Sequence, residues 1–132
     1  MTATSKDGIL DLSEGTVGLY RDGSSDFVRN LSGPPRRVAG LIVGAPSMTR
    51  NAPHGGEMHP DGDELLYLIS GAVSVVLELS DATKTLEVGP GQAVIVPKGV
   101  WHRVLIHEPS QLVHLTPGPG GEHRPLDEGA AR

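Results

Sequence analysis

Glycine and proline break this chain at short intervals from end to end, and that spacing limits what it can fold into more than any motif does. Eighteen glycines and eleven prolines stand in 132 residues, about twice their usual combined share. Inside a helix each would cost about 1 to 3 kcal/mol, so a helix bundle is excluded. With 37% hydrophobic residues the chain is too apolar for wholesale disorder. What remains is an all-β protein with little or no helix, of a length that fits one core.

Between the breakers lie short apolar runs of strand character. Phe27–Leu31 and Val38–Val43 flank Ser32-Gly33-Pro34-Pro35, a strand–turn–strand signal. Strands are then predicted at His54–His59, Glu64–Ser70, Ala72–Leu79, Thr85–Val88, Ala93–Pro97, His102–His107 and Gln111–Thr116. Turn residues bound each, among them Pro60-Asp61-Gly62-Asp63, Ser70-Gly71, Gly89-Pro90-Gly91, Lys98-Gly99 and Glu108-Pro109. Strands at this even spacing indicate a sandwich or barrel. The alternation from Val73 to Leu79 points Val73, Val75, Leu77 and Leu79 inward. Ala93–Val96 is apolar throughout and takes no orientation from its sequence. The plan is an N-terminal arm (1–26) with at most a short strand, a barrel (27–117), and a C-terminal loop and tail (118–132).

Composition removes several function classes. The absence of cysteine excludes a disulfide scaffold, a thiolate zinc site and a cysteine nucleophile. A net charge of -5 and 3% aromatics argue against a nucleic-acid partner. No apolar run reaches the roughly 18 residues needed to span a membrane. The stretch from Met1 to Gly15 has no apolar core of a signal peptide. A cytoplasmic protein whose partner is a small molecule is expected.

Chemistry concentrates at strand ends. Glu57 and His59 are two apart and share a face. Glu64 opens the strand after the Pro60–Asp63 turn, and His102 opens a later strand after Pro97-Lys98-Gly99. Four potential metal ligands on two separated hairpins can meet in one pocket. Leu66 and Leu68 share the parity of Glu64 and line the lumen. Tyr67 faces the other way, toward packing or a dimer contact. His114 shares the parity of Leu112, and either reaches the pocket or sits satisfied in the core. Parity turns His54 away unless Gly55-Gly56 forms a bulge, so it reads as a surface residue. His107 and His123 read as solvent groups.

These residues resemble the two motifs of the cupin superfamily, small β-barrels that hold a metal in the lumen. The first family motif is Gly, five residues, His-x-His, three or four residues, Glu, six residues, Gly. Here it reads Asn51, five residues, Glu57-Met58-His59, four residues, Glu64, six residues, Gly71. The second is Gly, five residues, Pro-x-Gly, two residues, His, three residues, Asn. Here it reads Gly91, five residues, Pro97-Lys98-Gly99, two residues, His102, three residues, Ile106. The match implies a double-stranded β-helix, or jelly-roll barrel, with Gly71 in a hairpin turn that needs positive φ. Asn51 replaces a glycine and itself tolerates positive φ. Ile106 replaces an asparagine and leaves a greasier pocket with Leu66, Leu68 and His114.

Glu57 stands where the family has its first histidine. If Glu57 binds, the ligands are two histidines and two carboxylates, a set that favours Fe2+ or Mn2+, with Ni2+ and Zn2+ as alternatives. If it does not, His59, Glu64 and His102 form a two-histidine, one-carboxylate set and Glu57 is a general base beside the ion. The resemblance implies one divalent ion and an enzyme acting on a small organic molecule, foremost an Fe(II)-type dioxygenase. Two alternatives stand beside it: a redox-neutral isomerase, cyclase or lyase, and a non-catalytic metal-stabilised binding protein. It also implies a homodimer.

Overall fold

The computed structural model describes residues 3–4, 8–29 and 35–126. Leu31 and the Ser32–Pro34 part of the expected turn lie outside the described residues, as does the tail from 127 onward. Among the described residues the chain is all strand and loop: β1 (Ala3–Thr4), β2 (Gly15–Tyr20), β3 (Ser25–Arg29), β4 (Gly40–Gly44), β5 (Ser47–Met48), β6 (Gly56–Met58), β7 (Glu64–Glu78), β8 (Thr83–Val88), β9 (Ala93–Val96), β10 (Trp101–Pro117) and β11 (Glu122–Arg124). No helix in them is long and apolar enough to cross a membrane.

Two long bent strands organise a curled antiparallel sheet. β7 and β10 pair along their lengths, from Trp101 opposite Glu78 to Leu115 opposite Leu65. β8 flanks the second half of β7 and β9 the first. β6 flanks the start of β10, while β5 and β4 flank its end. The sheet continues through β2, β3 and β1 on one side and through β11 beside β6 on the other. Two half-sheets thus share β7 and β10, and their inner faces meet in one aliphatic cluster: Leu66, Leu68, Val73, Val75, Leu77, Val88, Val96 and Leu112. Leu68 and Val75 have no exposed surface, which accounts for a core built almost without aromatics.

Several expectations need correction. Ser70-Gly71 and Glu108-Pro109 are not hairpin turns between separate strands. They are corners inside β7 and β10, opposite one another, where the register shifts between Ile106 and Leu112. Gly71 does adopt φ +97°, but its reason is also steric. A Cβ there would collide with Ser110 Oγ and sit 2.6 Å from Pro109 O. Asn51 does not use a positive φ, since only glycines do so among the described residues. Its side-chain oxygen instead accepts the Ile106 N–H of β10 at 2.7 Å. Leu79 lies beyond the end of β7 and is exposed, unlike Val73, Val75 and Leu77.

The described residues on either side of the barrel strands also form strands of their own. β2 is hydrogen-bonded between β3 and β4, and Arg36 pins it from beneath. The Arg36 guanidinium lies 2.7 Å from Asp26 Oδ1, while Asp26 Oδ2 accepts the Tyr20 hydroxyl at 2.7 Å. Beyond β10, the Arg37 guanidinium donates to Pro119 O at 2.5 Å. β11 then runs beside β6, with Arg124 stacked 4.4 Å over the Trp101 ring and ion-paired to Glu78.

On the outer face, register aligns Ile95, Leu65, Leu115, Val43 and Val17 across five strands. Ile95 is 60% exposed, Ile69 43% and Tyr67 40%. In β9, then, Ala93 and Ile95 face outward, whereas Val96 is buried and Val94 packs against the core.

Candidate metal centre

Strand register assembles the polar cluster from residues far apart in sequence. Glu57 sits at the centre of β6, directly opposite His102 of β10 on one side and His123 of β11 on the other. Directly opposed residues share a face with Cβ atoms about 5 Å apart. His59 lies just past β6, where its carbonyl accepts the Gly99 N–H at 2.9 Å. Asp63 Oδ1 accepts the Lys98 N–H at 2.8 Å. These two bonds, one backbone to backbone and one to a carboxylate, join the turn after His59 to the turn before His102 and hold the two halves of the cluster together. Glu64 opens β7 opposite Val96.

The four expected ligands converge. Glu64 spans both imidazoles, with Oε1 2.9 Å from His102 Nε2 and Oε2 3.4 Å from His59 Nε2. Glu57 Oε2 is 3.5 Å from His59 Nε2, and Glu57, His59 and His102 each bring one ligand atom within 4.8 Å of the others. His59, Glu64 and His102 are 3 to 5% exposed, whereas Glu57 is half-buried at the rim.

This donor set fits a divalent ion. Atoms about 2.1 Å from one ion and at right angles lie about 3 Å apart, close to the 2.9 to 3.5 Å separations above. Both ring nitrogens of His59, Glu64 Oε1 and His102 Nδ1 are buried without a hydrogen bond. Each such atom would otherwise cost about 1 to 3 kcal/mol. Two carboxylates would neutralise a 2+ charge in a dry site.

The same proximity governs protonation. Burial pushes the Glu64 carboxyl up, but the adjacent His102 and His59 rings outweigh it and hold it at about 2. Burial likewise acts against the charge on Glu57, yet His54 and His59 keep it well below the usual carboxylate range. His59 is drawn the other way: burial lowers it, and the two carboxylates raise it to about 9. Without an ion, the cluster is therefore a buried salt-bridge network with a proton on His59.

Two further polar groups steady Glu64. The Thr116 hydroxyl donates to Glu64 Oε2 at 2.5 Å. Having spent its proton there, it accepts from His114 Nδ1 at 2.7 Å, which fixes the tautomer of His114. Burial holds the His114 pKa below its ordinary value, so the ring is a neutral donor. His114 lies opposite Leu66 and Gly44. Leu66 and Leu68 belong to the core cluster, and Ile106 packs against it. Nothing in the sequence marks Thr116 as a functional group beyond the strand parity it shares with His114.

One histidine departs from its expected place. His54 is not a surface residue: its Nε2 lies 3.1 Å from Glu57 Oε1 and its side chain is 22% exposed. The positive φ of Gly56, +146°, supplies the local irregularity that turns it inward. His123 is solvent-exposed as expected, yet it stands on a strand, and β11 brings its Nε2 to 3.7 Å from Glu57 Oε2. His107 stands exposed on the outer face, with Nε2 2.5 Å from Ser74 Oγ.

Residues 48–116, more than half of the chain, match the family model described as the cupin domain. No curated protein sequence matches the chain. Among solved structures, Bacillus subtilis oxalate decarboxylase, described with Mn(II) centres, is 19% identical with a TM-score of 0.55, over 67% of this chain and 24% of that one. An oxalate oxidase in complex with the substrate analogue glycolate is 16% identical, TM-score 0.53, over 62% of this chain and 45% of that one. Peruvianin-I, described as a cysteine peptidase from Thevetia peruviana latex, is 17% identical, TM-score 0.56, over 67% and 58%. The chain thus spans less than two thirds of each, and at these identities the likeness is one of fold.

Proposed function

The chain belongs to the cupin domain family, and from that premise we propose that it is a metal-dependent enzyme acting on a small organic molecule, of the Fe(II)-type dioxygenase class. The observation that carries the metal is the convergence of Glu57, His59, Glu64 and His102, with four of their buried atoms unbonded. A bound Fe2+ or Mn2+ would supply Lewis acidity and a redox couple within an aliphatic barrel.

The chain's own residues have separate tasks in this reading. His59 gives up a ring proton to become a neutral ligand, and His102 presents its Nε2 on the other side of Glu64. Thr116 and His114 aim Glu64, so that its two oxygens stay toward the imidazoles. Leu66, Leu68 and Leu112 exclude water behind the cluster, which strengthens every charge interaction in front of them. Glu57 is held anionic by two imidazoles, making it a weak base and a good ligand, so we assign it to the metal rather than to proton abstraction.

Metal analysis followed by oxygen-electrode assays tests this. Protein loaded with Fe2+ or Mn2+ is expected to retain one ion per chain and to consume oxygen with its substrate. Inability to take up Fe2+, Mn2+, Ni2+ or Zn2+ would remove the centre. Undiminished turnover under strict anaerobiosis would replace the oxygenase with a redox-neutral isomerase, cyclase or lyase.

We also propose a homodimer formed through the outer apolar row of Ile95, Leu65 and Leu115 with Tyr67 and Ile69 beside it, because an apolar surface of this kind is seldom left to solvent. Light scattering should return twice the chain mass, and an Ile95→Glu change should return the monomer. A monomeric parent sinks the idea.

A further inference from the structure

We propose that His54 is a positioning residue, which holds one oxygen of Glu57 so that this carboxylate offers only its other oxygen to the metal. The inference rests on the assignment of Glu57 as a ligand and goes on to say how that ligand is aimed.

The geometry begins with the backbone. The Gly56 N–H points at the ring two residues earlier, and His54 Nδ1 accepts it at 3.2 Å. A neutral imidazole that accepts at Nδ1 carries its proton on Nε2. That Nε2–H faces Glu57 Oε1 at 3.1 Å, so Oε1 is engaged from the solvent side. Glu57 Oε2 is the oxygen near His59 Nε2, at 3.5 Å. The ring of His123 meets that of His54 edge-on, 5.1 Å between centroids and 73° between planes, and stops it from swinging outward.

The tautomer also decides between two uses of the same residues. His54, Glu57 and His123 bring ligand atoms within 4.8 Å of each other, a composition that suits a second ion. An imidazole nitrogen that holds a proton has no lone pair to give, so His54 Nε2 serves as a donor to Glu57. One ion per chain follows, with a carboxylate that binds through one atom.

The test uses the full chain with Mn2+ alone as the probe, reading stoichiometry, affinity and the Mn(II) electron paramagnetic resonance spectrum. The parent is expected to bind one ion. His54→Ala should still bind one ion, about ten- to a hundredfold more weakly, with a changed spectrum as Glu57 swings free. His54→Gln places an amide N–H near the position of Nε2–H and should restore the parent spectrum and most of the affinity. A His54→Ala protein matching the parent in affinity and spectrum overturns the proposal while leaving the metal centre standing. Two ions in the parent and one in His54→Ala overturn it in favour of a second site. A parent that binds no Mn2+ removes the metal centre and the proposal together.

Discussion

A Glu64→Gln variant, unfolded by urea at pH 6 without metal, should be less stable than the parent by about 3 to 5 kcal/mol. The substitution keeps the volume of the side chain and an oxygen for the Thr116 hydroxyl, so packing changes little. What it removes is the charge that faces both His102 and His59. Burial then acts against the protonated His59 ring with only Glu57 left as a counter-charge. Breaking one side of a buried ion network costs far more than the network contributes against apolar replacements, because the remaining charge is stranded. Metal uptake should fall further than the ten- to hundredfold that loss of a supporting partner causes. A Glu64→Gln protein with the parent's urea midpoint and the parent's ion content would place the ion elsewhere.

The second large effect is a reversal of pH dependence when metal binds. Without an ion, the His59 pKa is raised from 6.5 to about 9. A raised pKa contributes stability that is complete below 6.5 and is lost as pH climbs through 9. Glu64, lowered from 4.5 to about 2, contributes stability that is complete above 4.5 and is lost as pH falls toward 2. The metal-free protein should therefore be most stable between about pH 4.5 and 6.5. An ion needs the lone pair that the proton occupies on His59, so binding expels that proton. Mn2+ affinity should then rise about tenfold per pH unit between 6.5 and 9, and the loaded protein should gain stability where the metal-free one loses it. Calorimetry in buffers of different ionisation heat counts the proton directly. An affinity flat across this range would mean that His59 is already neutral or is no ligand.

Much of the barrel was legible in the chain because alternation and turn residues act locally. Val73, Val75 and Leu77 point inward as their period of two requires, and the spacing of Glu57, His59, Glu64 and His102 brought forward four groups that the fold places side by side. The failures share one cause. Gly71 and Glu108-Pro109 carry the composition of turns, and only pairing with a distant strand decides that they are opposed corners. His54 was misplaced because strand parity assumes a regular backbone through Gly56. The strand that carries His123 was not foreseen because nothing local says that residues 122–124 will join the edge of β6. Asn51 looked like a substitute for glycine's freedom, whereas its amide is used as an acceptor for another strand.

The position of β10 has a consequence for how the chain folds. This strand bonds to β4, β5, β6 and β7, and its partners include residues as distant as Leu41, opposite Pro117. Loop-closure entropy must be met before such pairings form, which places the barrel among slow folders on the millisecond-to-second scale. On a ribosome, β2 to β9 emerge with an unfilled seam between β4 and β7. The seam closes, and His102 joins Glu57, His59 and Glu64, only when the last quarter of the described chain has been released.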